Sequence, residues 1–267
     1  MPATTLSEVS TGPLSTVSLP ALFSVLGPVR VRGVRGARKP LAVLTALLLH
    51  ANEWVDVEQL IAATWQEQDA PASAEANLKT YIWHWRRTLP DALGDPRIER
   101  GEHAYRLRVE PGDLDVDHVE LLAGQGRRAR DEGSRARAAA LFGSALELWR
   151  GRPFDGLRAD SGLGTVTWLE GVHRNLRLEL AELSGSLGRF REAETLLRGL
   201  VDEDPWWEQP WVCWMGLLCG RGRPGDAIAL YRRARAALRS DLGVEPGPEL
   251  TAAFRTAVEG EVRDGRR

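Results

Sequence analysis

The chain has 267 residues, 43% of them hydrophobic, with 35 basic against 37 acidic side chains and a formal net charge of −2. This exceeds one typical domain of about 100–200 residues and supplies enough apolar surface for real cores, which excludes a disordered or fibrous class. The near-neutral balance excludes a chain coated in positive charge, no apolar run approaches the roughly 20 residues of a membrane span, and no charged-then-apolar export signal opens the sequence, so a cytoplasmic protein is expected.

Residues 1–20, rich in Ser, Thr and Pro, cannot build a core and are expected to form a disordered tail. Leu22 to Val31 alternates enough for a small N-terminal sheet, interrupted by Gly27 and Pro28. Lys39 to His50 (KPLAVLTALLLH) reads as a strongly apolar helix, and Val57 to Trp65 as a short second one with Asp56 placed to cap it. The third helix, Ala74 to Leu89 (AEANLKTYIWHWRRTL), sets Leu78, Tyr81, Ile82, Trp85 and Leu89 at helical spacing. That leaves Lys79, Thr80, Trp83, Arg86 and Arg87 on other faces. Pro90 to Asp95 breaks the helix, and β-rich pieces at Arg97 to Arg100 and Ala104 to Val109 flank a turn at Gly101, Glu102 and His103. Three helices and a terminal hairpin make a winged helix, and the third helix is the candidate for the major groove.

Charge is segregated within this part. Arg30, Arg32, Arg35, Arg38 and Lys39 form a basic run, whereas Glu53, Asp56, Glu58, Glu67, Asp69 and Glu75 are acidic. From Lys79 to Arg108 there are seven basic and four acidic residues. A basic third helix and wing beside an acidic second helix and loop would present opposite signs to DNA and to a protein partner.

Pro111, Gly112 and Asp113 punctuate the end of the wing, dividing residues 21–110 from an almost wholly helical 111–267. Helical patterns run near Val116 to Glu132, Ser134 to Trp149, Leu163 to Leu187, Phe190 to Asp202, Trp207 to Gly220, Pro224 to Leu238 and Pro248 to Glu259. Gly188-Arg189-Phe190-Arg191-Glu192-Ala193 aligns with Gly222-Arg223-Pro224-Gly225-Asp226-Ala227 at an offset of 34, the tetratricopeptide period. An earlier copy, 55 residues upstream, matches Gly133, Ala138, Leu141 and Phe142 to Gly188, Ala193, Leu196 and Leu197. Helix-pair repeats of this kind bury small alanines between paired helices and bind peptides or proteins more often than they catalyse.

Of ten tryptophans, Trp206, Trp207, Trp211 and Trp214 crowd around Pro205 and Pro210. They suit either a core or a binding surface for a partner or small hydrophobic ligand. Cys213 and Cys219, six apart in a helical stretch, point away from each other and are expected as buried thiols. The sequence has no nucleophile elbow, Walker loop or dinucleotide-binding glycine motif. His50, His84, His103, His118 and His173 are scattered without metal-ligand spacing. A non-enzyme without metal or cofactor is expected.

The order KPLAVLTALLLHANEWVDVEQLIAATW, DAPASAEANLKTYIWHWRRTL and IERGEHAYRLRV resembles the OmpR-type winged helix of the Streptomyces antibiotic regulatory proteins. PGDLDVDHVELL, ALELWRGRPFDGL and DLGVEPGPEL resemble the bacterial transcriptional activator domain that follows it there. The resemblance runs from about Leu22 to about Val258. It implies an N-terminal winged helix-turn-helix with a β-hairpin wing and an all-α tetratricopeptide-like domain. It also implies a transcriptional activator that binds promoter direct repeats as two side-by-side protomers, recruits RNA polymerase, and controls an antibiotic or other secondary-metabolite cluster. The 33 arginines against two lysines fit a GC-rich genome.

On this reading Arg38, Lys39, Arg86, Arg87 and Arg100 supply charge to phosphates, Arg100 matching the family's wing position for the minor groove. Base reading falls to Asn77, Lys79, Thr80, Trp83 and His84: Lys79 can donate to guanine, Asn77 suits adenine, and the Thr80 methyl can touch thymine. Glu67 and Asp69, between the second and third helices, face a basic patch of the sigma factor. Three departures stand out. Trp83 and His84 replace a small hydroxyl residue and an arginine, Asp56 replaces a Ser or Thr cap, and the wing turn lacks the expected Pro-Gly or Gly-Gly before Tyr105. Two other classes remain open, a scaffold without DNA binding and a sensor whose helical part binds a small molecule.

Overall fold

The computed structural model describes residues 21–34, 37–65, 70–156 and 162–264. The expected N-terminal tail and the acidic pair Glu67 and Asp69 lie outside the described residues. Phe23–Ser24 (β1) and Arg30–Val31 (β2) pair antiparallel. Between them Gly27 holds φ at +141°, and an added Cβ would stand 3.0 Å from the Cβ of Arg150. Glycine is therefore required for that approach.

Three helices follow: α1 (Arg38–Leu49), α2 (Val57–Trp65) and α3 (Ala74–Thr88). The wing is built from β4 (Ile98–Arg100) and β5 (Ala104–Leu107), as the alternation predicts. A third strand, β3 (Trp54–Asp56), joins it between α1 and α2, giving the antiparallel order β3-β5-β4. Three residues are too few for an alternating pattern to register, so the sequence carries no clear signal for β3. Asn52, at φ 68°, reaches the wing's end by donating from Nδ2 to the Val109 carbonyl at 3.0 Å and accepting the Val109 N–H at 2.9 Å. The expected Asp56 cap is corrected: Gln59 Oε1 accepts the Asp56 N–H at 3.4 Å, and no bond runs from the Asp56 carboxylate to the first turn of α2.

The helical part comprises α4 (Asp115–Asp131), α5 (Arg135–Leu146), α6 (Leu163–Ser186), α7 (Phe190–Glu203), α8 (Glu208–Gly220), α9 (Pro224–Ala237) and α10 (Pro248–Asp264). A π-helical turn, Leu238–Leu242, prolongs α9. The spacing of 34 between Phe190 and Pro224 is the spacing between the first residues of α7 and α9, and Arg135, which opens α5, lies 55 before Phe190. The aligned Ala138, Ala193 and Ala227 are all fully buried. Methyl-sized side chains at those positions let paired helices close on one another.

Two apolar clusters divide the molecule, and α6 belongs to both. The first runs from Phe23 and Val25 through α1 and α3 to Phe142, Leu176 and Leu180, without a break at residue 111. The second joins Leu178 and Ala181 of α6 to Trp211, Met215 and Leu250. The tryptophan cluster therefore splits: Trp211 and Trp214 are core, Trp207 is half-buried and Trp206 is exposed. Cys213 and Cys219 are free and half-buried, a correction to the expectation of buried thiols, and Cys213 lines an open groove between α8 and α6. Burial still pushes the Cys213 thiol up to about 12, with Glu182 adding to the shift. Among the described residues no helix is long and apolar enough to cross a membrane, and no group of three metal-ligating side chains is placed to hold an ion.

Candidate nucleic-acid interface

The period of α3 sorts its side chains cleanly. Leu78, Ile82 and Trp85 are buried together with Leu89, and Tyr81 is half-buried, stacked 6.4 Å from Trp65. Trp85 also donates its indole N–H to the Pro40 carbonyl at 2.6 Å, which locks α3 against the start of α1. With that face fixed, Lys79, Thr80, Trp83, His84, Arg86 and Arg87 are all exposed, and Asn77 is half-buried.

Each of these residues has a definite local state. Lys79 Nζ pairs with Glu75 at 2.7 Å, one turn back. Lys79 holds the Glu75 carboxyl below the usual range through that hydrogen bond and its charge, with weaker contributions from His103 and Arg100. Asn77 donates to Ser73 Oγ at 3.2 Å, and the Thr80 hydroxyl donates to the Ala76 carbonyl at 3.1 Å, so its methyl is what remains to face outward. The Trp83 ring is 58% exposed and carries the Arg87 guanidinium at 4.9 Å. His84 meets Trp85 edge-on at 5.2 Å. Arg86 Nε donates to the Ile98 carbonyl at 2.7 Å, bracing α3 against β4.

At the flanks, Arg38 and Lys39 are exposed on the first turn of α1, and Lys39 Nζ sits 5.2 Å over the Trp65 ring. Arg100 is exposed at the end of β4. The remaining cations of the basic stretch are held in ion pairs. Arg97 is buried, pairs with Asp113 at 2.5 Å and donates to the Pro90 carbonyl at 3.0 Å. Arg106 pairs with Glu99, and Arg108 bridges Glu99 at 2.5 Å and Asp95 at 3.1 Å. Surplus charge counted from Lys79 to Arg108 thus overstates what that stretch presents to solvent, where Lys79, Arg86, Arg87 and Arg100 are the exposed cations.

Sequence reasoning passed over Trp54, which is half-exposed on β3 with the Arg106 guanidinium 4.6 Å over its ring. Arg106 opposes Trp54 on one side and Glu99 on the other, so the three form a cross-strand row. Such rows stabilise a small sheet through side-chain pairing. The signal would have been visible only had β3 been recognised as a strand.

The bacterial transcriptional activator domain matches residues 114–257, α4 into α10. The regulatory protein DnrI of Streptomyces peucetius is 34% identical over 222 residues, 80% of this chain and 81% of DnrI. The regulatory protein AfsR of Streptomyces griseus is 33% identical over 88% of this chain, which spans only 25% of AfsR. Among solved structures, Mycobacterium tuberculosis EmbR in complex with a low-affinity phosphopeptide superimposes with a TM-score of 0.76 at 30% identity, covering 89% of this chain and 64% of EmbR. The chain belongs to the Streptomyces antibiotic regulatory protein family, non-catalytic DNA-binding transcriptional regulators that carry a bacterial transcriptional activator domain.

Proposed function

We propose that this regulator is a sequence-specific activator in which residues 21–110 read promoter DNA and residues 111–267 mediate contacts between protomers or with polymerase. The observation that carries the reading is α3 itself. One face is locked into the core by Leu78, Ile82 and Trp85, while the other exposes Lys79, Thr80, Trp83 and Arg87 beside the wing residue Arg100. A rigid helix with its polar stripe free and a cationic wing alongside matches major-groove reading with a neighbouring minor-groove contact.

In this reading Lys79 and Asn77 donate to purine edges, and the Thr80 methyl and Trp83 ring make apolar contacts with thymine. His84 lies beside them. Arg38, Lys39, Arg87 and Arg100 hold phosphates, as does any donor that Arg86 has left beyond Ile98. Two protomers bind direct repeats about one helical turn apart, which places both recognition helices on one face of the duplex. Glu67 and Asp69 face the sigma factor, and the controlled genes belong to a secondary-metabolite cluster, with the protein acting at the nucleoid in the cytoplasm. No metal or cofactor is needed for any of these steps.

The test is binding to the promoter region beside the protein's own gene across a range of salt, with wild type and Lys79→Ala. Retention of that fragment over unrelated DNA with a steep salt dependence, and a loss of that preference in Lys79→Ala, is the expected result. Weak binding indifferent to both sequence and Lys79 would return the chain to the scaffold reading. Charge reversal at Glu67 and Asp69 should abolish transcription while leaving DNA binding intact.

A further inference from the structure

Exposed Trp206 and half-buried Trp207 of the tryptophan cluster face a cavity. Trp206 and Trp207, between α7 and α8, line it with Asp204 and with Gly171, Arg174 and Asn175 of α6 as an open cleft of about 410 Å³. This volume lies within the roughly 300–1,000 Å³ of small-molecule sites.

Its walls are held in place. Trp206 is 48% exposed, yet its indole N–H is donated to Asp241 at 3.2 Å, so the ring is positioned without being covered. Arg174 donates to Asp204 at 2.6 Å and lies 5.7 Å over the Trp207 ring. A preset aromatic surface loses little conformational freedom when a second ring stacks on it.

Gly171 also lines it, inside α6, where glycine is less favourable than alanine. A Cβ built there would meet nothing within 4 Å, so no packing within the protein requires its absence. What a side chain at 171 would occupy is the cavity. The class of ligand follows from the charges. Arg174 and Asp204 neutralise each other, so the lining has no net charge and offers no surplus cation to a phosphate. The exposed Asn175 amide adds both a donor and an acceptor.

We propose that this cavity binds an uncharged planar aromatic molecule, stacked on Trp206 with hydrogen-bonding atoms at the edge that meets Asn175 and the Arg174–Asp204 pair. The site is in the helical part, away from α3, and its occupation is measured without DNA, so it stands or falls separately from the DNA-reading proposal.

The experiment uses the full chain, theophylline as the neutral planar probe and AMP as the charged one. A fragment of that size binds with a Kd on the order of 1 mM in a fitting site. At about 10 mM, theophylline should raise the thermal unfolding midpoint by about 3 °C and quench tryptophan fluorescence saturably. Gly171→Leu, which fills the space, and Trp206→Ala, which removes the stacking wall, should each abolish both responses. Trp206→Ala provides the readout should Gly171→Leu fold poorly. No saturable response in the wild type, or an equal one in folded Gly171→Leu or Trp206→Ala, overturns the site. A larger response to AMP than to theophylline overturns the choice of an uncharged ligand.

Discussion

The carboxylate of Asp115 accepts the backbone N–H of Val25 at 2.8 Å, joining residues 90 apart in sequence. It also accepts the Leu26 N–H at 3.2 Å, and Arg150 approaches it at 3.5 Å. These bonds tie the chain just after β1 to the first turn of α4, and the Arg150 N–H donated to the Leu26 carbonyl at 2.7 Å closes the arrangement from the other side. The small N-terminal sheet is therefore held by the helical part as well as by the winged helix.

Removing that acceptor should be expensive. Asp115→Ala leaves two buried N–H groups without a partner, each a penalty of about 1–3 kcal/mol, so a loss of roughly 2–5 kcal/mol is expected in denaturant unfolding. Asp115→Asn retains one acceptor oxygen and should lose about 1–2 kcal/mol. The pH dependence has a definite sign. Burial is the largest influence on Asp115 and raises its pKa, outweighing the Val25, Leu26 and Arg150 contributions that lower it. The folded state then holds more protons than the unfolded state between the ordinary and the raised pKa, and this contribution to stability is present at low pH and lost as pH rises through the folded value. The wild type should gain on Asp115→Asn as the solution is acidified through that window. A difference that shrinks on acidification would overturn the assignment.

Arg86 separates bracing from DNA contact. Its Nε is donated to the Ile98 carbonyl at 2.7 Å, whereas Arg87 stacks on exposed Trp83. Arg86→Ala should destabilise the fold by about 1–2 kcal/mol and weaken all DNA sequences alike by letting the wing shift against α3. Arg87→Ala should leave stability within about 0.5 kcal/mol and reduce the salt slope by about one. Unfolding curves and salt titrations on the two variants distinguish these roles. Equal stability of both would remove the brace.

How far the sequence could be read depended on whether a residue's state is set by neighbours along the chain or by distant ones. The faces of α3 were readable because Leu78, Ile82, Trp85 and Leu89 share a period, and the repeat was readable because Ala193 and Ala227 recur at one offset. The fate of individual charges was not. Arg106 meets Glu99 through the register of β4 on β5, and Arg97 meets Asp113 where the chain leaves the wing for α4, neither of which a count of charges along the sequence shows. The division of the tryptophans was hidden too, since Trp206 and Trp211 differ in how α8 meets α6 and α7, not in local composition.

Close packing of the repeat makes another position sensitive. A Cβ on Gly126 of α4 would lie 2.5 Å from Phe142 of α5, a fully buried ring with no room to retreat. Gly126→Ala should therefore destabilise by about 1–3 kcal/mol, despite alanine's better helix propensity. Gly124→Ala, where an added Cβ meets nothing within 4 Å, should be neutral or stabilising. Thermal unfolding of the pair is the check, and a stable Gly126→Ala would show that α4 and α5 can move apart.

The Glu75–Lys79 pair gives the most direct access to the reading surface. At 2.7 Å on the exposed side of α3, the carboxylate holds the one lysine of the helix and would face phosphate repulsively on approach to DNA. Glu75→Gln frees Lys79 and removes that repulsion, so affinity for the target should rise about three- to tenfold at low salt, with the gain shrinking as salt screens it. Lys79→Ala should weaken binding by about tenfold or more and relax preference at one base position. In Glu75→Gln/Lys79→Ala the affinity should fall between the two single variants. Fluorescence anisotropy over a salt series measures all three. If Glu75→Gln instead weakens binding while Lys79→Ala still does, the carboxylate is aiming the lysine at its base, and the pair acts as a single reading unit.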